Sequence, residues 1–109
     1  MNYTTLSQRI ETAGHGLCVG LDPDPAKLPA GTDLASFCIG IIDATVHVAI
    51  AYKPNFAFFE RWGAAGFAWL EETVLYIGDE HIKIADAKRG DIGNTSSLYA
   101  RAFFDHFDL

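Results

Sequence analysis

Alternation between short apolar runs and helix-forming segments is the feature that most constrains how this chain can fold. The apolar runs are bounded by turn-forming or charged residues, as is typical of β-strands, and they cover residues 16–21, 51–53 and 81–85. Apolar residues recur at helical spacing in the segments that follow, which cover residues 34–48, 67–77 and 98–103. With a short helix over residues 5–12, this order predicts parallel strands joined by helical crossovers.

Charged side chains mark the carboxyl end of every predicted strand. Asp22 follows the first strand, Lys53 ends the second, and Asp86 and Lys88 lie at the end of the third. In α/β folds built from parallel strands, ligands bind at the carboxyl ends of the strands. These residues are therefore predicted to converge on one site.

Around the third strand, the spacing of the charged residues predicts an array in which lysines and aspartates alternate. Side chains alternate along a strand, so Asp86 and Lys88 are predicted to point to the same side. Lys53 ends the neighbouring strand at the same level, and Asp91 lies near the start of the next helix. Pairing would keep the lysines protonated and the aspartates ionised. The array fits either a structural network of ion pairs or a site in which a lysine held by two carboxylates is a general acid.

Composition narrows the classes of partner. The 109 residues include 8 Lys and Arg against 14 Asp and Glu, which gives a net charge of −6. This balance argues against a nucleic-acid-binding surface or an anionic-membrane surface, but not against a small anionic ligand. The longest apolar-rich stretch, residues 34–51, is broken by polar residues and is therefore not expected to span a membrane.

The cysteines and the amino terminus indicate an intracellular protein. Cys18 and Cys38 lie in apolar surroundings, without the CxxC or His/Cys spacing of a metal site. Residues 1–16 do not resemble a signal peptide. We therefore expect a cytoplasmic location, no metal site, and both thiols packed as small hydrophobes.

Three sequence blocks resemble those of orotidine 5′-phosphate decarboxylase, in particular its longer-chain bacterial branch. The blocks are GLDPD over 20–24, AYKPNFAFFE over 51–60 and DAKRGDIGNT over 86–95, in the family's order. The resemblance implies a dimeric (β/α)8 barrel that uses no cofactor. A complete barrel needs roughly 250 residues. Residues 1–109 are therefore expected to form the amino-terminal part of the barrel domain, with about the first three βα units.

The resemblance also implies catalytic roles for three of the charged residues. Lys88 would donate the proton to C6 of the pyrimidine, Asp86 would lie against the departing carboxylate, and Lys53 would bond the ribose hydroxyls and orient Asp86. The implied reaction converts orotidine 5′-monophosphate into uridine 5′-monophosphate, the last step of de novo pyrimidine synthesis. Such a site must stabilise a carbanion and then protonate it, and a lysine can do both.

Further residues of the blocks are implied to contact the substrate. Asp22 would contact the ribose, Asn55 would make a polar contact, and Ile92 would belong to the substrate-binding set. Asp91 and Thr95 would reach across the dimer interface to the ribose bound by the partner. From the residues alone, Asp91 and Thr95 also fit a helix N-terminal cap, and Asp22 fits a turn with the proline that follows.

Three other functions compete with this interpretation. Magnesium-dependent 3-keto-gulonate-6-phosphate decarboxylases share the Asp-x-Lys-x-x-Asp pattern but differ in the second-strand block. A Schiff-base aldolase would need Lys88 with a lowered pKa in an apolar pocket. The chain could instead be a non-catalytic fragment that associates with itself, because an open strand edge favours association. We expect the isolated chain to have little or no decarboxylase activity.

Overall fold

The three strands pair in chain order into one parallel sheet in the computed structural model, which describes residues 2–109. They are β1 (Cys18–Leu21), β2 (Ala51–Pro54) and β3 (Ile82–Lys83). Strand β2 is central, with Ala51 opposite Cys18 of β1 and Ile82 of β3. The predicted parallel order is confirmed. Within residues 2–109, no strand pairs with the outer edges of β1 and β3.

Five α-helices surround the strands within the described residues. They are α1 (Tyr3–Ala13), α2 (Leu34–Thr45), α3 (Phe56–Glu60), α4 (Ala64–Ile77) and α5 (Gly93–Ala100), and α5 continues as a π-helical segment, Arg101–His106. The short helix α3 was not predicted. In residues 2–109, no helix combines the length and the apolar character needed to cross a membrane.

The hydrophobic core lies between one face of the sheet and the helices α2, α3 and α4. Its centre is Tyr52 of β2, which is fully buried, together with Phe59 of α3 and Leu70 of α4. The Tyr52 hydroxyl lies 2.9 Å from the Thr45 hydroxyl and donates to the Ile42 carbonyl at 3.3 Å. These bonds satisfy the polar end of a buried aromatic residue and join β2 to α2.

The opposite face of the sheet is only partly covered. Leu6 and Ile10 of α1 line a cavity with Ala51 and Ile82, so α1 covers the amino-terminal part of this face. Towards the carboxyl ends of the strands, Ile84 remains 41% exposed. The strands therefore present an open face that leads to the predicted site.

The two cysteines differ in their surroundings. Cys38 of α2 is buried, as predicted, and burial raises the pKa of its thiol to about 12. Cys18 is exposed, so the prediction that it packs as a small hydrophobe is wrong. The reason is its position on β1, because α1 alone covers this side of the sheet and leaves the thiol accessible.

The carboxyl-terminal segment packs against the core through aromatic rings of residues that follow α5 in the chain. The predicted helix forms, but Leu98 on α5 is 64% exposed, so the predicted amphipathic burial of α5 is not observed within this chain. Instead, the rings of Phe103 and Phe107 lie 5.1 and 5.7 Å from that of Phe56, in edge-to-face geometry. These contacts hold the end of the chain against α3 and leave α5 mostly solvent-facing.

Close packing between α3 and α4 requires a glycine at position 66. A Cβ placed on Gly66 would lie 1.8 Å from the Phe59 carbonyl oxygen, a backbone atom that cannot rotate away. We expect Gly66→Ala to lower the free energy of unfolding by about 1–3 kcal/mol, because the two helices must separate. Urea unfolding followed by circular dichroism measures this change.

Gly40 provides a matched control for this prediction. It lies in α2, and a Cβ there would meet no atom within 4 Å. Gly40→Ala is expected to raise the free energy of unfolding by about 0.5–1 kcal/mol through helix propensity. Equal effects of the two substitutions would contradict the proposed close approach of α3 and α4.

Candidate active site

The Asp86 carboxylate bridges two lysines at the carboxyl ends of β2 and β3. Lys53 Nζ donates to Asp86 Oδ2 at 2.8 Å, and Lys88 Nζ donates to Asp86 Oδ1 at 2.9 Å. Each carboxylate oxygen therefore has its own cation. The Asp86 side chain is 24% exposed and that of Lys88 is 78% exposed. The structure thus brings together three of the predicted site residues, with the Lys88 ammonium accessible from solvent.

Backbone hydrogen bonds place Asp86 beside β2 although β3 has ended. The Asp86 N–H donates to the Pro54 carbonyl at 3.2 Å, and the Asp86 carbonyl accepts from the Phe56 N–H at 3.1 Å. Asp86 is also paired with Asn55 as an isolated parallel bridge. The end of the ladder between β2 and β3 therefore coincides with the start of α3, and this holds Asp86 next to Lys53.

Lys88 reaches Asp86 by a route that differs from the predicted one. We predicted a continuous strand in which alternation points Asp86 and Lys88 to one side, but β3 ends at Lys83. Lys88 adopts a left-handed backbone conformation, with φ of 47°. Strand alternation is therefore the wrong explanation. The ion pair forms in the irregular segment after β3, with Lys88 in a conformation that costs a non-glycine residue on the order of 1–2 kcal/mol.

Asp22 and Asn55 form a second polar pair at the ends of β1 and β2. Asn55 Nδ2 donates to Asp22 Oδ2 at 3.1 Å, and the Asn55 N–H donates to the Leu21 carbonyl at 3.0 Å. Asn55 Oδ1 accepts from the Ala57 N–H at 3.3 Å and so caps α3. One side chain therefore both starts a helix and orients a carboxylate.

Within residues 2–109, Asp91, Ile92 and Thr95 make no side-chain bond to Lys53, Asp86 or Lys88. Asp91 Oδ1 accepts from the N–H of Ile92, at 2.7 Å, and the Ile92 side chain is 81% exposed. Among residues 2–109, Asp91 forms no ion pair with Lys88. Of the four charged residues predicted to form the array, only Lys53, Asp86 and Lys88 do so within this chain. The alternative role as a helix cap is also not observed, because α5 begins without a side-chain cap.

Arg89 and Glu60 form an ion pair beside the segment that joins Asp86 to Lys88. Arg89 Nη1 donates to the Ala87 carbonyl at 2.6 Å, and Arg89 Nη2 forms an ion pair with Glu60 Oε1. Both residues belong to the sequence blocks, since Glu60 closes the second block and Arg89 follows Lys88 in the third. Their position inside these blocks was the sequence signal that could have pointed to both residues.

The ion pairs determine the protonation states of the cluster. The hydrogen bond from Lys53, followed by that from Lys88, holds the pKa of the Asp86 carboxyl below its usual value. The bond to Asp86 in turn raises the pKa of Lys53. At neutral pH, Asp86 is therefore an anion and Lys53 is a cation. Within the described part of the chain, no group of three or more His, Cys, Asp or Glu side chains is arranged to hold a metal ion.

Titration of Asp86 can separate the contributions of the two lysines. We expect its carboxyl to titrate below pH 3.8, the ordinary value. Lys53→Met should raise the pKa of Asp86 more than Lys88→Met, since Lys53 makes the larger contribution and is less exposed, at 36% against 78%. Carboxyl ¹³C NMR of the chain and both variants measures the midpoints, and three equal midpoints would contradict the bridge.

The same shifts predict how stability depends on pH. The folded pKa of Asp86 is below its unfolded value of 3.8, so its ion pairs stabilise the fold above that pH. This contribution is lost as the pH falls through the folded pKa. The folded pKa of Lys53 is above 10.5, so its contribution is complete below pH 10.5 and is lost as the pH rises through the folded pKa. The difference in free energy of unfolding between the chain and Lys53→Met, measured by urea unfolding, should therefore be constant between pH 3.8 and pH 10.5.

Comparison with known proteins places the chain in a family. The model of the Orotidine 5′-phosphate decarboxylase / HUMPS family matches residues 15–108. The orotidine 5′-phosphate decarboxylase of Flavobacterium johnsoniae is 52% identical over 117 residues, covering 100% of this chain and 43% of the relative. That of Dehalococcoides mccartyi is 53% identical over 92 residues, covering 84% of this chain and 34% of the relative. The chain thus spans less than half the length of the curated relatives it matches.

Solved structures give the same result for the fold. A Toxoplasma gondii structure superposes with a TM-score of 0.88 at 44% identity, covering 96% of this chain and 38% of the other. Leishmania donovani OMP decarboxylase gives a TM-score of 0.82 at 38% identity, covering 97% and 40%. The chain contains the first three βα units of this (β/α)8 barrel. By its sequence blocks, its strand order and these matches, it belongs to the orotidine 5′-phosphate decarboxylase / HUMPS family.

Proposed function

We propose that residues 1–109 are the amino-terminal part of a barrel domain that decarboxylates orotidine 5′-monophosphate to uridine 5′-monophosphate without a cofactor. The observation that carries this proposal is the Asp86 carboxylate bridged by Lys53 and Lys88, at 2.8 and 2.9 Å, at the open carboxyl end of the sheet. As a step in nucleotide synthesis, the reaction would take place in the cytoplasm.

The bridge supplies the two charges that this reaction needs. Asp86 is held as an anion, so a substrate carboxylate placed beside it is destabilised before the bond breaks. When the bond between C6 and the carboxylate breaks, CO2 leaves and the electron pair remains on C6. The Lys88 ammonium stabilises this charge and then donates its proton to C6. Its accessible side chain can reach a ligand on the open face.

The neighbouring polar residues fit the ribose. Lys53 keeps donors for ribose hydroxyls beyond the one that bonds Asp86, because an ammonium has three. The Asp22 carboxylate, oriented by Asn55, lies at the adjacent strand end. Both sides of the sugar would therefore meet groups from different strands.

A second copy of the chain would complete the site. Asp91, Ile92 and Thr95 lie around the start of α5 and form no bond to Asp86 within residues 2–109, and Ile92 is 81% exposed. We assign these residues to the ribose site of a partner subunit, which makes the protein a homodimer. Nucleic acid and membrane surfaces are not proposed partners, because the net charge is −6.

The competing functions fit the cluster less well. A magnesium-dependent decarboxylase would use carboxylate oxygens as ligands, but Lys53 occupies Asp86 Oδ2 at 2.8 Å. A Schiff-base lysine would be desolvated in an apolar pocket, whereas the Lys88 side chain is 78% exposed and paired with a carboxylate.

A hybrid chain tests the proposed function. Residues 1–109 replace the matching segment of the Flavobacterium johnsoniae relative, whose remaining residues supply the rest of the barrel. We expect this hybrid to decarboxylate orotidylate, measured by the loss of its absorbance, with no effect of EDTA. A hybrid that unfolds cooperatively and sediments as a dimer but shows no turnover would overturn the proposal. Turnover that EDTA abolishes would favour the magnesium-dependent function.

A further inference from the structure

We propose that Arg89, held by Glu60, is a positioning residue that fixes the backbone joining Asp86 to Lys88. This inference rests on the proposed function, because it assigns the pair a role in placing the proton donor. Neither side chain is expected to contact the substrate.

The guanidinium group of Arg89 is held on several sides. Nη1 donates to the Ala87 carbonyl at 2.6 Å, and Nη2 forms the ion pair with Glu60 at the end of α3. The Arg89 Cζ atom also lies 5.8 Å from the centre of the Tyr99 ring on α5. The side chains of Arg89 and Glu60 are each 28% exposed, so the pair is partly shielded from water. Such a group has little freedom to move.

The carbonyl that Arg89 holds belongs to the peptide between the two catalytic residues. Ala87 lies between Asp86 and Lys88, and its side chain is buried at 9% exposure. The residue that follows, Lys88, is in the left-handed conformation with φ of 47°. Such a conformation persists only where its surroundings determine it strongly. The buried Ala87 side chain and the bond from Arg89 provide that constraint on the peptide.

The arrangement requires a guanidinium rather than any cation. Arg89 uses two different nitrogens at once, one for the Ala87 carbonyl and one for Glu60. A lysine has a single nitrogen at the end of a flexible stem and cannot reproduce this planar fork. Arg89→Lys therefore keeps the positive charge but loses the two simultaneous hydrogen bonds. The variant separates a positioning role of Arg89 from an effect of its charge.

The Asp86 titration described above measures the effect without substrate. When the Ala87 peptide is released, Lys88 is expected to relax out of the left-handed conformation and lose its bond to Asp86. Arg89→Gln and Arg89→Lys should then both raise the pKa of Asp86 to the value found for Lys88→Met. Combining either with Lys88→Met should add nothing further, because the contact is already lost. Glu60→Gln should shift the pKa in the same direction by a smaller amount.

Arg61→Gln is the matched control. It removes the same charge from the adjacent stretch of chain, and Arg61 likewise lies over a ring, 4.9 Å from the centre of Trp62. We expect no change in the Asp86 titration. The proposal is overturned if Arg89→Gln matches this control, or if Arg89→Gln shifts the pKa while Arg89→Lys does not, since the latter result would indicate a charge effect alone.

In the hybrid, the same variants have a kinetic signature. Arg89→Lys should lower kcat by about 10-fold to 100-fold with KM little changed, because a misplaced donor slows the proton-transfer step. A fall in kcat without any shift in the Asp86 pKa would overturn the positioning role. If the unsubstituted hybrid has no activity, the titration result still decides the inference, so the two failures are distinguishable.

Discussion

The isolated 109-residue chain is expected to decarboxylate orotidylate slower than the hybrid by about 10³-fold or more. Its three strands form an open sheet, and the open face leaves the bridge between Lys53, Asp86 and Lys88 in contact with water. In the proposed mechanism, solvent would weaken the electrostatic interactions that destabilise the substrate carboxylate and stabilise the carbanion. The binding energy from remote parts of the substrate is also reduced when less than half of the barrel surrounds it.

Assays of the chain alone, and of the chain mixed with the remaining segment of the Flavobacterium johnsoniae relative, test this expectation. Mixing should restore activity if the two pieces form a barrel. Sedimentation of the chain alone at several concentrations should show self-association, because β1 and β3 have unpaired edges in residues 2–109. Turnover by the chain alone near that of the hybrid would show that the three βα units suffice.

Lys88→Met in the hybrid is expected to lower kcat by about 10²–10⁴-fold, the usual contribution of a general acid. The substitution removes the proposed proton donor, which would also be the cation that faces the developing carbanion, and keeps a side chain of similar length. Binding of uridine 5′-monophosphate, measured by calorimetry, should weaken much less than kcat falls. Single-turnover kinetics at saturating orotidylate would separate the loss of the chemical step from the loss of binding.

Lys83→Met is the matched control for this substitution. Lys83 also carries an ammonium on the third βα unit, but it pairs with Asp108 at 2.8 Å and Asp79 at 3.4 Å and, within residues 2–109, forms no ion pair with Asp86. Its side chain is only 10% exposed, so the control should reduce stability and leave kcat unchanged. A similar loss of kcat in both variants would argue against Lys88 as the proton donor.

Local sequence patterns were sufficient for the order of elements and for the meeting of Lys53 with Asp86. Hydrophobic periodicity predicts strands and helices directly, and parallel strands must place their carboxyl ends at one edge. The helix α3 was missed because a helix of five residues has too few turns to show periodicity. It begins after Asn55, whose side chain accepts from the Ala57 N–H and caps the helix.

Predictions failed where the chain leaves regular structure. Alternation was extended past Lys83, where β3 ends, so Lys88 meets Asp86 as predicted but from a left-handed backbone conformation that alternation along a strand does not describe. Asp91 was placed in the array because it is close to Lys88 in sequence, yet its carboxylate binds the next backbone N–H. The exposure of Cys18 depends on which face the helices cover, which a strand of four residues does not reveal.

The sequence by itself determined the parallel α/β order, the resemblance to a family and the residue types at the strand ends, because these depend on local periodicity and on contiguous blocks. Only the tertiary structure decided that Asp91 does not join the ion pairs of Asp86 within residues 2–109 and that Arg89 holds the Ala87 carbonyl. The Lys88–Asp86 and Arg89–Ala87 contacts form within the irregular segment after β3, and the Arg89–Glu60 ion pair joins residues that are 29 positions apart. Their geometry follows from how the sheet, α3 and the loop after β3 pack together, and no local pattern encodes it.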